Sequence, residues 1–159
     1  MEEVVPQAGR HIPWPVDMLL PHARTMLLLD RARCYGDGWA EAEVRIAEDS
    51  LFYEIGRGVP SWVGIEYMAQ TVAMYDGIRS QLERKPISLG LLVGTRRFTA
   101  SSPWFPLGDL LTVRVEQELL DGPAGVFHCR IEGHSVWAEC RLNVFVPSDR
   151  KAFFEEDLP

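Results

Sequence analysis

Polar and apolar positions divide the chain into one helix and a set of strands. Between residues 39 and 46 the two classes alternate: Ala40, Ala42, Val44 and Ile46 fall on one side, Trp39, Glu41, Glu43 and Arg45 on the other. A period of two is that of a strand with one face in a core and one in water. Gly36-Asp37-Gly38 supplies the turn before it. Residues 26–30, a short and mostly apolar run, predict another buried strand. The pattern changes after Pro60-Ser61. Residues 62–82 are apolar on nearly every helical face, which predicts a helix buried all round. Ser61 is placed to cap it, its polar end at 79–85 emerges, and Pro86 stops it. Strand-like runs follow at 89–98, 110–119, 126–132 and 136–146. They are separated by the Pro-rich stretch 101–108, by Asp121-Gly122-Pro123 and by Gly133. Residues 47–60, punctuated by Gly56, Gly58 and Pro60, predict irregular structure.

A long helix that is apolar on all sides has to be enclosed, and a strongly curved antiparallel sheet encloses one. The predicted fold class is therefore α+β. The length of 159 residues and the absence of any linker or repeat fit one domain over 1–159. Residues 1–18, with Pro6, Pro13 and Pro15, read as an extended arm or loop, and residues 147–159 as a tail.

Charge narrows the partners. The net charge is -7 and Lys and Arg are scattered, so a nucleic-acid partner is not expected. Arg79, Lys85, Arg84, Arg96 and Arg97 are candidates for a local basic patch toward an acidic protein, or else are scattered solubilising charges. Cys34, Cys129 and Cys140 have no metal-ligand spacing, and Cys129 and Cys140 fit as small apolar residues in strands. No run is long enough to span a bilayer, and the first residues lack the features of a signal peptide. A cytoplasmic protein with no metal and no cofactor is expected. Residues 90–94 match neither nucleotide-binding glycine motif, and there is no Gly-x-Ser-x-Gly.

Glu66 breaks the pattern. It lies about one turn into the helix among Val63, Ile65, Met68, Ala69 and Val72. Enclosing an ionised carboxylate is costly unless it is paired, and that tension is what general acid–base groups are built on. The alternative is a glutamate facing out or serving the helix start. Gln70, at i+4, shares its face and is placed to hydrogen-bond it. His128 and His134 fall in or beside strands and read as surface or interstrand residues. His11 lies in the arm.

Three segments resemble the 3-hydroxyacyl-[acyl-carrier-protein] dehydratases, in order and in spacing. Leu20-Pro21-His22 with Leu27-Leu28-Leu29-Asp30-Arg31 is similar to that family's opening Leu-Pro-His…Leu-Leu…Asp-Arg. Pro60-Ser61-Trp62-Val63-Gly64-Ile65-Glu66-Tyr67-Met68-Ala69-Gln70 is similar to its Pro-Gly-Val-Leu-x-x-Glu-Ala-Met-Ala-Gln helix. Gly94-Thr95-Arg96-Arg97-Phe98 with Gly108-Asp109-Leu110-Leu111 is similar to its Gly-x-x-x-x-Arg-Phe…Pro-Gly-Asp-x-Leu. The resemblance spans residues 19–146 and implies a hot-dog fold, in which a curved antiparallel sheet wraps one central helix. It also implies a homodimer, or a heterodimer with a related hot-dog subunit, and acyl thioester substrates carried by an acyl carrier protein.

The resemblance assigns roles residue by residue. Glu66 matches the catalytic carboxylate and Gln70 the helix glutamine. Ser61, where the family has Gly, matches the residue whose backbone N–H, one of the free donors at the helix start, polarises the thioester carbonyl, and Gly64, Gln70 and Tyr53 join it as substrate-binding residues. The family's loop histidine has no counterpart: residues 51–60 hold none. The chain thus resembles a variant branch, including dehydratase-like proteins of aryl polyene clusters. His22 is the candidate substitute base, with a changed role for Tyr53 or Glu54 as another outcome. Three activities remain open: dehydration of 3-hydroxyacyl thioesters to trans-2-enoyl thioesters, acyl thioester hydrolysis directed by the helix carboxylate, and service as a catalytically deficient partner of a dehydratase heteromer.

Overall fold

A computed structural model describes residues 8–20, 26–86 and 91–145, with the backbone alone for 91–93. Among these residues, nine strands and one α-helix run in the order β1 (Arg10–His11), β2 (Arg31–Gly36), β3 (Trp39–Arg45), β4 (Val59–Pro60), α1 (Gly64–Leu82), β5 (Leu91–Ala100), β6 (Trp104–Phe105), β7 (Leu110–Asp121), β8 (Ala124–Glu132) and β9 (Trp137–Phe145). Seven strands form one antiparallel sheet in the order β1-β2-β3-β7-β8-β9-β5, and β4 pairs with β6 outside it. Helix α1 lies across the inner face of the large sheet, against β3, β7, β8, β9 and β5. This is the α+β hot-dog arrangement that the resemblance implies.

The alternation over 39–46 holds: Ala40, Ala42, Val44 and Ile46 are all buried. The same period puts Leu111, Val113 and Val115 of β7, Phe127, Cys129 and Ile131 of β8, and Ala138, Cys140 and Leu142 of β9 in the core. Cys129 sits directly opposite Cys140, and the Cys140 thiol lies 3.2 Å from the Met68 sulfur. The two strand cysteines pack as the small apolar residues expected of them.

Three expectations are corrected. Residues 26–30 form no strand. Their backbone is held by the Gln70 side chain, and only Asp30 reaches the sheet, donating its N–H to the Glu43 carbonyl at 2.9 Å. The part of the N-terminal arm that is described is not loose: β1 pairs with β2, a 3-10 turn forms at Val16–Met18, and Ile12 and Leu19 are buried. Leu19 meets the helix so closely that a Cβ on Gly77 would lie 2.0 Å from its carbonyl oxygen. The helix, finally, is not buried all round. Ile65, Glu66, Ala69, Ala73 and Asp76 are half-buried, while Gly64, Tyr67, Met68, Gln70, Thr71, Val72, Met74 and Tyr75 are fully buried. Spacings of three and four put Glu66, Ala69, Ala73 and Asp76 in one stripe.

Asp76 on that stripe gives the fold a pH dependence. Burial holds its carboxyl above the usual carboxylate range, with Arg79 opposing the shift and Glu83 adding to it. The folded state therefore keeps this proton more tightly than the unfolded chain does. The resulting stabilisation is complete below the unfolded pKa and is lost as pH rises through the folded value. Asp76→Asn is expected to raise the melting temperature at neutral pH. The gain should shrink as the pH is lowered towards about 4, which thermal melts of both proteins across that range would read.

Candidate functional site

The start of α1 is built by β4 and β6. Val59 and Pro60 pair with Phe105 and Trp104, and the Ser61 N–H donates to the Pro103 carbonyl at 2.9 Å. A 3-10 turn at Ser61–Val63 then leads into the helix without any side-chain cap. This corrects two expectations about Ser61: it does not cap the helix, and its amide is not among the unpaired donors at the helix start. Gly64 is also explained by packing. A Cβ there would lie 2.9 Å from Ile131 Cδ1 and 3.1 Å from the Phe105 ring, so glycine lets the first turn of α1 sit directly on the sheet.

Glu66 lies one turn further on, half-buried. The Gln70 amide donates to its Oε1 at 3.0 Å, as the i+4 spacing led one to expect. Gln70 itself is fully buried and does more. Its Nε2 also donates to the Met26 carbonyl at 2.7 Å, and its Oε1 accepts the Leu28 N–H at 2.8 Å. One amide thus fixes the Glu66 carboxylate and the backbone just after residues 21–25 at the same time. His22, the candidate base, lies outside the described residues. Of the four histidines in the chain, the other three lie elsewhere. His11 sits exposed on β1. His128 faces the outer side of the sheet, its Nε2 hydrogen-bonded to Glu139 Oε1 at 2.7 Å. His134 is in the β8–β9 turn, where its N–H donates to Asp109 Oδ1 at 2.9 Å.

The loop before β4 is a tight hairpin. Glu54 N–H donates to the Gly58 carbonyl (2.8 Å) and Gly58 N–H to the Glu54 carbonyl (3.0 Å). Gly58 has φ +111°, and a Cβ on it would stand 2.1 Å from the Phe105 carbonyl oxygen, so no other residue fits there. Tyr53 is half-buried and packs on the core; among the described residues no hydrogen bond joins it to Glu66.

Sequence reasoning passed over the apolar surface beside this hairpin. Phe52 takes the left-handed conformation, φ 67°, which is strained for a bulky residue. Its ring lies 5.2 Å from that of Trp62. Leu51, Phe52, Ile55 and Trp62 are all exposed, Ile55 at 93%. Large apolar residues gathered in water mark a contact or binding surface, and Trp62 stands one turn before Glu66. The signal was present in two aromatic residues flanking a glycine-rich loop. Tyr67, the next residue after Glu66, is buried with its ring 6.2 Å from that of Phe105. Burial holds its phenol well above the ordinary tyrosine range, with the Asp30 charge adding to the shift.

No group of three or more metal-ligating side chains occurs among the described residues, and none of their helices is long and apolar enough to cross a membrane.

Comparison with known proteins agrees with this architecture. The family model described as ApeP-like, ApeP dehydratase, matches residues 14–155. A chain of the dehydratase heterocomplex ApeI:P from Xenorhabdus doucetiae is 27% identical, with a TM-score of 0.81 over 94% of this chain and 100% of that one. The Streptococcus mutans protein smu.793, bound to acetyl CoA, is 13% identical, with a TM-score of 0.60 over 82% of this chain and 98% of that one. A hypothetical thioesterase protein from Streptococcus pneumoniae, with coenzyme A, is 16% identical, with a TM-score of 0.54 over 77% and 89% of the two chains. The last two likenesses show the fold alone. No curated protein sequence matches the chain.

Proposed function

The chain belongs to the ApeP-like dehydratase family, and from that premise we propose that it removes water from 3-hydroxyacyl thioesters to give trans-2-enoyl thioesters. The observation that carries the reading is Glu66, a half-buried carboxylate one turn into α1 that Gln70 holds at 3.0 Å. The carboxyl form of Glu66 protonates the C3 hydroxyl, which leaves as water. His22 takes the C2 proton, and the electron pair of that C–H bond forms the C2–C3 double bond. The thioester carbonyl faces the start of α1, whose aligned peptide dipoles favour the negative charge that develops on it. The acyl group is proposed to arrive on an acyl carrier protein and to lie against the apolar residues around Trp62 and Phe52.

The same reading gives the chain a related hot-dog subunit as its partner. Two observations favour this over action alone. The hairpin before β4 carries no histidine, and the relative in Xenorhabdus doucetiae is part of a heterocomplex. The test is mass spectrometry of a 3-hydroxyacyl carrier protein incubated with the chain, alone and together with such a subunit. Loss of one water from the acyl group is expected. Release of a free carboxylic acid and a free thiol would instead establish a thioesterase. An acyl group unchanged under both conditions would remove the catalytic assignment.

A further inference from the structure

The core holds a reactive pair that the proposed chemistry does not use. Cys129 of β8 and Cys140 of β9 stand directly opposite one another. Both are buried, and both are free thiols. Phe127, Ile131, Ala138 and Leu142 line the same inner face beside them.

Register fixes the spacing of the pair. Strands β8 and β9 run together without a bulge, and just past their ends the Gly133 N–H donates to the Val136 carbonyl at 2.8 Å. Hydrogen-bonded and non-bonded pairs alternate along an antiparallel ladder. Ile131 with Ala138, and then Cys129 with Cys140, therefore repeat the bonded arrangement of Gly133 with Val136. The Cα atoms of such a pair lie about 5.5 Å apart, a separation that a disulfide spans without backbone movement. The thiols also govern each other's ionisation. Contact with Cys140, and then burial, push Cys129 up, while contact with Cys129 holds Cys140 down against burial.

The surroundings favour this chemistry over metal binding. The Met68 sulfur lies 3.2 Å from the Cys140 thiol, so α1 closes over the pair and leaves a metal ion no cavity. A disulfide needs none, because its formation only removes two hydrogen atoms. Cys34 supplies an internal contrast. It is half-buried on β2, with β3 and β7 between it and the pair. Burial and the Glu41 charge push its thiol up.

We propose that Cys129 and Cys140 are a site of reversible oxidation by hydrogen peroxide, closing to a cross-strand disulfide that braces the sheet beneath α1. The Cys140 thiolate attacks one peroxide oxygen; the O–O bond breaks, and the hydroxide released takes a proton and leaves as water. The Cys129 sulfur then attacks the resulting sulfenic sulfur. The S–O bond breaks, and hydroxide leaves with the Cys129 proton as a second water. Two thiols have lost two electrons, and one peroxide has become two waters. Burial makes the first step slow, and the nearness of the second thiol ends the reaction at the disulfide.

The test uses the reduced full chain. It is incubated with hydrogen peroxide, quenched with catalase, and then denatured in iodoacetamide for intact-mass and peptide mass spectrometry. Cys34 should be alkylated and the peptides holding Cys129 and Cys140 joined, with dithiothreitol restoring both thiols. The oxidised protein, before denaturation, should melt about 5–10 °C above the reduced one, a rise that the C129A/C140A variant should not show. Cys129 and Cys140 both alkylated after prolonged exposure would overturn the proposal, as would sulfinic acid at either position. A linkage accompanied by a lower melting temperature would overturn it too, since the strands would then have had to distort. Oxidised wild type carries the decision by peptide mapping, so a variant that fails to fold does not leave the matter open, and no outcome depends on dehydratase activity.

Discussion

Glu66→Gln is expected to abolish water loss from a 3-hydroxyacyl thioester while leaving the fold in place. Glutamine has nearly the same shape, and its side-chain carbonyl still accepts the Gln70 amide that now lies 3.0 Å from Glu66 Oε1. What it lacks is a proton for the departing hydroxyl. General acid–base groups contribute roughly 10²–10⁴-fold to rate, so kcat should fall by about that factor or to background. KM should move little, because the amide still fills the same space. The assay is run on the chain combined with a related hot-dog subunit as well as on the chain alone, with a thermal melt beside it. Turnover unchanged in both settings would remove Glu66 from the chemistry. A lost activity accompanied by a collapsed melt would point to a structural role instead.

How far the sequence could be read follows from which interactions are local. The β3 alternation was legible because one face of that strand meets the core and the other meets water, so each residue reports its own side. The central helix was legible for a related reason, yet its burial was overestimated. Ala69 and Ala73 are apolar but small, and a pattern of apolar residues does not say whether this chain or another one covers them. The Gly36–Gly38 and Asp121–Pro123 turns carry their own backbone signals. The pairing of β4 with β6 carries none. Each strand is two residues long, one contains Pro60, and the partners lie more than forty residues apart. That pairing also decided the fate of Ser61, whose amide looked available until Pro103 was placed against it.

The candidate site divides along the same line. Glu66 could be found because a carboxylate among apolar neighbours is anomalous on chemical grounds alone, and its link to Gln70 follows from helical spacing. The apolar group of Phe52, Ile55 and Trp62 left only a weaker signal, two aromatic residues flanking a glycine-rich loop, because their meeting depends on a left-handed residue and a hairpin that bring two loop segments together. The misread strand at 26–30 has an equally specific cause. Leu27 and Leu28 pack on the core and Leu29 is buried, though Met26 is exposed, but the backbone groups that would have joined a ladder are met by a glutamine side chain.

That glutamine carries the second large effect. Gln70→Leu keeps the volume and removes all three hydrogen bonds at once. The Leu28 N–H and the Met26 carbonyl lose their partner; Leu28 is half-buried and Met26 exposed, so water recovers part of the roughly 1–3 kcal/mol that each fully buried group would cost. The expected loss of stability is therefore about 1–3 kcal/mol, or on the order of 5 °C in melting temperature for a chain of this size. The more discriminating readout is local. Amide hydrogen exchange at Leu28 should accelerate well beyond the change seen at buried positions of β7 and β8 such as Val113 and Ile131, because Gln70 is what secures that amide while the sheet's own ladder is untouched. Activity should fall with it, since the same side chain orients Glu66 and anchors the backbone that leads back to His22. If Leu28 exchanges no faster in the variant than in the wild type, the segment is held by something other than Gln70, and the carboxylate and the candidate base are not positioned by one shared amide.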